Sequence, residues 1–139
     1  MTDYLVDNSV WARLAAGDQS ITARLRQIER APSDLFVTCP PLVLEFCHSA
    51  RTPQEHGHYR EQISLGFPLE RAPDESLVLS IQSALWHAGL VRAAGPLDIL
   101  IAAYAIMNDA TVLASDRDFG FIAQVSELQF EYLEPSSLS

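Results

Sequence analysis

The sequence predicts an α/β fold built on a central, mainly parallel sheet covered by helices on both faces. Short, continuous apolar runs at 4–7, 35–38 and 111–114 read as strands buried on both sides. Stretches with helical periodicity separate these runs, and Pro, Gly, Ser and Asp cluster at the junctions.

The elements follow in order. Tyr4-Leu5-Val6 forms the first strand, and Asp7 closes it where the chain is expected to meet solvent. Asn8 and Ser9 are N-cap residue types, and a helix then runs through Val10-Trp11-Ala12-Arg13-Leu14 to Gly17. A polar helix over 20–30 sets Ile21, Leu25 and Ile28 on one stripe. Pro32-Ser33-Asp34 breaks the chain before the strand Leu35-Phe36-Val37-Thr38. Pro40-Pro41 opens a helix that is expected to reach Arg51. Pro53 starts a more polar one carrying His56, His58 and Tyr59. A short strand is expected at 67–69, a long helix over 74–90, and the most apolar helix over 96–109. Strand 111–114, helix 117–125 and strand 129–133 complete the chain.

A length of 139 residues with 48% hydrophobic content suits one globular domain over 1–139. The chain has no lysine, and its nine arginines face eighteen acids, giving a net charge of −9. That balance excludes broad adhesion to nucleic acid or anionic membranes, which needs a basic surface. It leaves room for a nuclease whose acidic site holds metal ions against phosphate. Cys39 and Cys47 fit no CxxC or zinc-knuckle spacing and read as core thiols. No basic leader precedes an apolar segment, and the longest apolar run, 99–107, is far short of the ~20 residues that span a bilayer. A cytoplasmic location without a membrane partner is expected.

Four carboxylates interrupt apolar surroundings: Asp7, Glu45, Asp98 and Asp116. An ionised carboxylate withdrawn from water without a partner is very costly, so such groups are exposed, paired or bound to metal. Each also has an ordinary explanation. Asp7 would serve as a helix N-cap, and Asp98 lies in a first turn, where the helix dipole favours negative charge. Ser115 with Asp118 resembles a capping box, which explains Asp118 and leaves Asp116 less explained. Glu45 lies at the margin of an apolar helix face made by Leu42, Val43, Phe46, Cys47 and Ala50, where partial burial is expected. Ala102, Ala105 and Asp109 project on the same side of their helix as Asp98. Asp7 and Asp116 lie just past strand ends, the rim where ligands of parallel sheets bind.

Taken in order, Leu5-Val6-Asp7-Asn8-Ser9-Val10-Trp11, Leu44-Glu45, Leu97-Asp98-Ile99-Leu100-Ile101-Ala102-Ala103 and Ser115-Asp116-Arg117-Asp118-Phe119 resemble the motifs of PIN-domain ribonucleases. The likeness is closest to VapC-type toxins of toxin–antitoxin pairs and covers essentially the whole chain. It implies a three-layer α/β/α sandwich and an endoribonuclease dependent on Mg²⁺ or Mn²⁺ that leaves a 5′-phosphate and a 3′-hydroxyl. It assigns metal or catalytic roles to Asp7, Glu45, Asp98 and Asp116, makes Asp118 a further acid at the metal, and gives Ser9 a supporting role. Asn8 stands where the family often has Thr. The resemblance also implies an RNA substrate, a homodimer, and a cognate antitoxin whose basic tail enters the acidic pocket. Substrate-binding residues are not specified; Arg13, Arg51 and Arg117 are candidates for guiding RNA.

Other chemistries lack their marks. No GxGxxG, P-loop or GxSxG occurs. His56 and His58 stand two apart on a helix, a poor metal pair, and His48 and His87 stand alone. The competing class is a receiver-like domain or a non-catalytic acidic protein-interaction module. A receiver uses a lysine beside its acidic pocket, and this chain has none.

Overall fold

The computed structural model describes residues 1–136. Among these residues twelve elements follow one another: β1 (Asp3–Val6), α1 (Asn8–Ala15), α2 (Gln19–Arg30), β2 (Leu35–Thr38), α3 (Pro40–His48), α4 (Pro53–Ile63), β3 (Phe67–Pro68), α5 (Glu75–His87), α6 (Pro96–Met107), β4 (Thr111–Ala114), α7 (Asp118–Val125) and β5 (Gln129–Tyr132). The five strands form one sheet in the order β3-β2-β1-β4-β5, and every pairing is parallel.

Strand side chains alternate between two cores. Leu5, Val112 and Ala114 face one way, into a cluster with Leu42, Ile81, Leu85, Ile99 and Phe119. Tyr4, Val6 and Leu113 face the other way and pack on Val10, Ile21, Leu25 and Ile28 of α1 and α2. The sheet is therefore covered on both sides, giving the three-layer sandwich. Helix α6 is apolar nearly all round because it is buried nearly all round; Ile99, Ile101, Ala102, Ala103 and Ala105 are inaccessible or almost so. The edge strand β5 is held by Arg24 of α2, whose Nε and Nη2 donate to Glu131 at 2.6 and 2.9 Å, while Nη2 also donates to the Tyr4 hydroxyl.

Some boundaries differ from the sequence expectation for local reasons. Helix α3 stops at His48, short of Arg51, because the Ser49 hydroxyl donates to the Phe46 carbonyl, and the chain turns towards the proline that opens α4. Helix α6 stops at Met107: Asn108 caps it, donating through Nδ2 to the Tyr104 carbonyl, and Asp109 takes a left-handed conformation with φ 55°. Asp109 therefore leaves the face it was expected to share with Asp98, and its carboxylate accepts from Gln129. Strand β1 covers 3–6 rather than 4–7, for a reason that concerns Asp7. Among the described residues, no helix is long and apolar enough to cross a membrane.

Candidate metal centre

From β1 the chain builds outward to β2 and β3, then returns to lay β4 and β5 on the other side of β1. The direction of building reverses between β1 and β4, which makes the carboxyl ends of these two strands the expected ligand crevice. Asp7 follows β1 directly, and Ser115-Asp116 follow β4. Helices α3 and α6 pack against one another and bring Glu45 and Asp98 to the same place.

One carboxylate oxygen from each of Asp7, Glu45 and Asp98 lies within 4.8 Å of the other two. These residues come from three elements far apart in sequence. Asp7 does not meet solvent, as its place at a strand end had suggested, but is 2% exposed. Its backbone N–H donates to the Leu113 carbonyl of β4, and its side chain caps α1 by accepting from Ser9 N–H through Oδ2 at 3.0 Å. The capping explanation is thus correct for one oxygen only. Oδ1 is buried with no hydrogen-bond donor near it. A buried carboxylate oxygen without a donor is costly, and a cation in the crevice would relieve it.

The electrostatics point the same way. Burial pushes the Asp98 carboxyl up to about 7, and repulsion from Asp7, Glu45, Asp118 and Asp116 adds to the shift. The dipole at the start of α6 favours a negative Asp98, but its effect is the smaller one. Glu45 is raised by burial first and then by Asp7 and Asp116. Asp116 is raised by burial and by Asp7, with a partly opposing hydrogen bond from Asp118 N–H. Every charge that shifts Asp98 and Glu45 is another carboxylate. Hard, oxygen-preferring divalent cations suit such a donor set.

Asp116 and Asp118 stand close enough to repel Asp98 but outside the tight trio. The capping box expected between Ser115 and Asp118 does not form. Asp116 Oδ1 instead accepts from Asp118 N–H at 3.1 Å, and the Ser115 hydroxyl donates to the Leu133 carbonyl at 2.8 Å. Ser115 is needed elsewhere because β5 ends beside it, leaving a buried carbonyl to satisfy. Ser9 has a structural task in this arrangement. Its hydroxyl accepts from Ser115 N–H at 2.9 Å, tying the first turn of α1 to the loop after β4. Ser9→Ala is expected to destabilise the protein by about 1–2 kcal/mol, since Ser115 N–H would lose its acceptor, a cost measurable by urea denaturation.

The sequence did not disclose the groove beside this site. It has a volume of about 690 Å³ and is lined by Trp11, Leu14, Phe36, Phe46, Tyr59 and Ile63, among others. These side chains come from α1, β2, α3 and α4, and each alone looks like an ordinary amphipathic position. Trp11 lies on its wall: the ring packs near Phe36 and Phe46, and its Nε1 is buried without an acceptor. All four histidines belong to no cluster able to hold a metal among the described residues.

Residues 4–125 match the family model of the PIN domain. Ribonuclease VapC11 of Mycobacterium tuberculosis and a VapC ribonuclease of Mycobacterium bovis are each 30% identical over 130 residues, covering 90% of this chain and 95% of the relative. Among solved structures, VapBC-1 from nontypeable Haemophilus influenzae aligns with a TM-score of 0.71 at 20% identity, over 95% of this chain and 98% of that one. DNA-bound VapBC from Salmonella typhimurium aligns with a TM-score of 0.70 at 18% identity, over 96% and 99%. At these identities the two structures establish a shared fold.

Proposed function

The chain belongs to the PIN-domain family, and from that membership we propose that it is a metal-dependent endoribonuclease acting as the toxin of a toxin–antitoxin pair. The observation that carries the proposal is the meeting of Asp7, Glu45 and Asp98 within 4.8 Å, with an oxygen of Asp7 left buried and unpartnered. Asp7, Glu45 and Asp98 would hold Mg²⁺ or Mn²⁺, with Asp116 extending the donor set and Asp118 at its edge. When bound, such an ion lowers the pKa of water and neutralises charge on phosphate oxygens. The remaining work falls to the chain. Its carboxylates orient the attacking water and accept its proton. The products would carry a 5′-phosphate and a 3′-hydroxyl.

Two surfaces support the proposed partners. The aromatic groove offers an apolar seat for an antitoxin segment. The net charge of −9 steers a basic tail towards the acidic crevice. Exposed apolar side chains on α5 (Leu79, Trp86), in the segment after it (Val91) and in the first turn of α6 (Leu97) offer contacts for a second copy of the chain. A monomer at micromolar concentration in sedimentation would remove the homodimer.

The test is cleavage of single-stranded RNA by the purified chain, with the new ends mapped chemically. Cleavage is expected with Mg²⁺ or Mn²⁺, to be lost in EDTA and to return when metal is restored. Full activity in EDTA, or none with either ion, would overturn the proposal.

A further inference from the structure

Arg117 stands between Asp116 and Asp118 at the rim of the acidic crevice and is exposed. A flexible cation between two aspartates would ordinarily fold onto one of them. Here it does not: among the described residues the sole ion pair joins Arg24 to Glu131, and the Arg117 guanidinium donates no hydrogen bond. It lies instead over the ring of Tyr132, with its central carbon 5.0 Å from the ring centroid. Tyr132 is placed for this because it pairs in register with Ala114, the residue from which the Ser115-Asp116-Arg117 loop departs.

We infer that Tyr132 is a positioning residue that holds Arg117 off the neighbouring carboxylates, so that Arg117 binds a backbone phosphate of the RNA beside the scissile one. The inference rests on the ribonuclease reading and adds a substrate contact to it. A cation over a ring uses up none of its N–H donors, so the guanidinium fork stays free to match phosphate oxygens. It also leaves Asp116 and Asp118 uncancelled, as a cation-binding crevice requires. In a chain of net charge −9, affinity for a polyanion must come from such individually placed cations.

The experiment measures kcat, KM and their salt dependence on one single-stranded RNA oligonucleotide for the wild type, Arg117→Ala, Tyr132→Leu and Tyr132→Phe. Arg117→Ala is expected to raise KM about tenfold with kcat within about threefold, the pattern of a lost ground-state contact. It should also reduce the slope of log KM against log salt by about 0.7, the share of one phosphate contact on a single strand. Tyr132→Leu should raise KM in the same direction, and Tyr132→Phe, which keeps the ring face, should restore the wild-type value. The Mn²⁺ concentration that half-stabilises Arg117→Ala against heat should stay within about twofold of wild type. Tighter Mn²⁺ binding would show Arg117 neutralising the acids and overturn the inference, as would an unchanged KM and salt slope. A wild type that fails to cleave any RNA overturns the ribonuclease reading and this contact with it.

Discussion

Asp98→Asn is expected to lower kcat/KM for RNA cleavage about a thousandfold or more while leaving the fold intact. The amide keeps the size of the side chain and its place in the first turn of α6, so packing against α3 should not change. What disappears is one of three negative donors that meet within 4.8 Å. Asp7 and Glu45 remain, but a dication then faces a smaller opposing charge and one fewer strong ligand. The effect should be graded. Asp116→Asn keeps an oxygen able to accept from Asp118 N–H, so its loop holds shape and only the charge is lost. Asp118→Asn lies outside the trio and should cost about tenfold or less. Single-turnover cleavage across this series, with circular dichroism to confirm folding, checks the order. Equal losses at Asp98 and Asp118 would mean that the close trio does not define the centre.

The layout of the protein could be read from its sequence because each strand is an uninterrupted apolar run and each helix has a clear opening. Pro40, Pro53 and Pro96 mark three helix starts that the structure reproduces. The acids could be nominated for a related reason: Asp7, Glu45, Asp98 and Asp116 each break an apolar run. Their division of labour was not readable. Whether Asp116 or Asp118 takes the structural hydrogen bond depends on where the Ser115 hydroxyl goes, and that depends on the Leu133 carbonyl eighteen residues away. Asp109 shared a helical face with Asp98 only while the helix was assumed to continue; a single capping side chain, Asn108, removed it. The groove has no signature in the sequence because its walls come from four elements, and no local periodicity encodes their meeting.

Without metal, the protein should be less stable at pH 8 than at pH 5, and millimolar Mn²⁺ should restore most of the difference at pH 8. Asp98 carries the argument, since its folded pKa is raised to about 7 against an ordinary value near ~3.9 in the unfolded chain. A carboxyl whose pKa rises on folding stabilises the fold only while protonated. That contribution is complete below the unfolded value and is lost as pH climbs through about 7. Glu45 and Asp116 are shifted in the same direction and add to the slope. Asp18 behaves oppositely, lowered to about 2 chiefly by the Ile21 N–H bond, so its effect falls below the window and does not offset theirs. Solvent screens a half-buried group, so the loss from Asp98 is about 1–2 kcal/mol, or roughly 3–7 °C in Tm. A cation that binds only the folded crevice reverses the loss by mass action, by about 2.7 kcal/mol at a hundredfold excess over Kd. At pH 5 protons compete for the same oxygens, so Mn²⁺ should shift Tm less there. Asp98→Asn should flatten both the pH dependence and the response to Mn²⁺. Thermal scans in EDTA and in Mn²⁺ at the two pH values are sufficient. A Tm in EDTA that rises from pH 5 to pH 8 would show that the acids do not share one buried crevice.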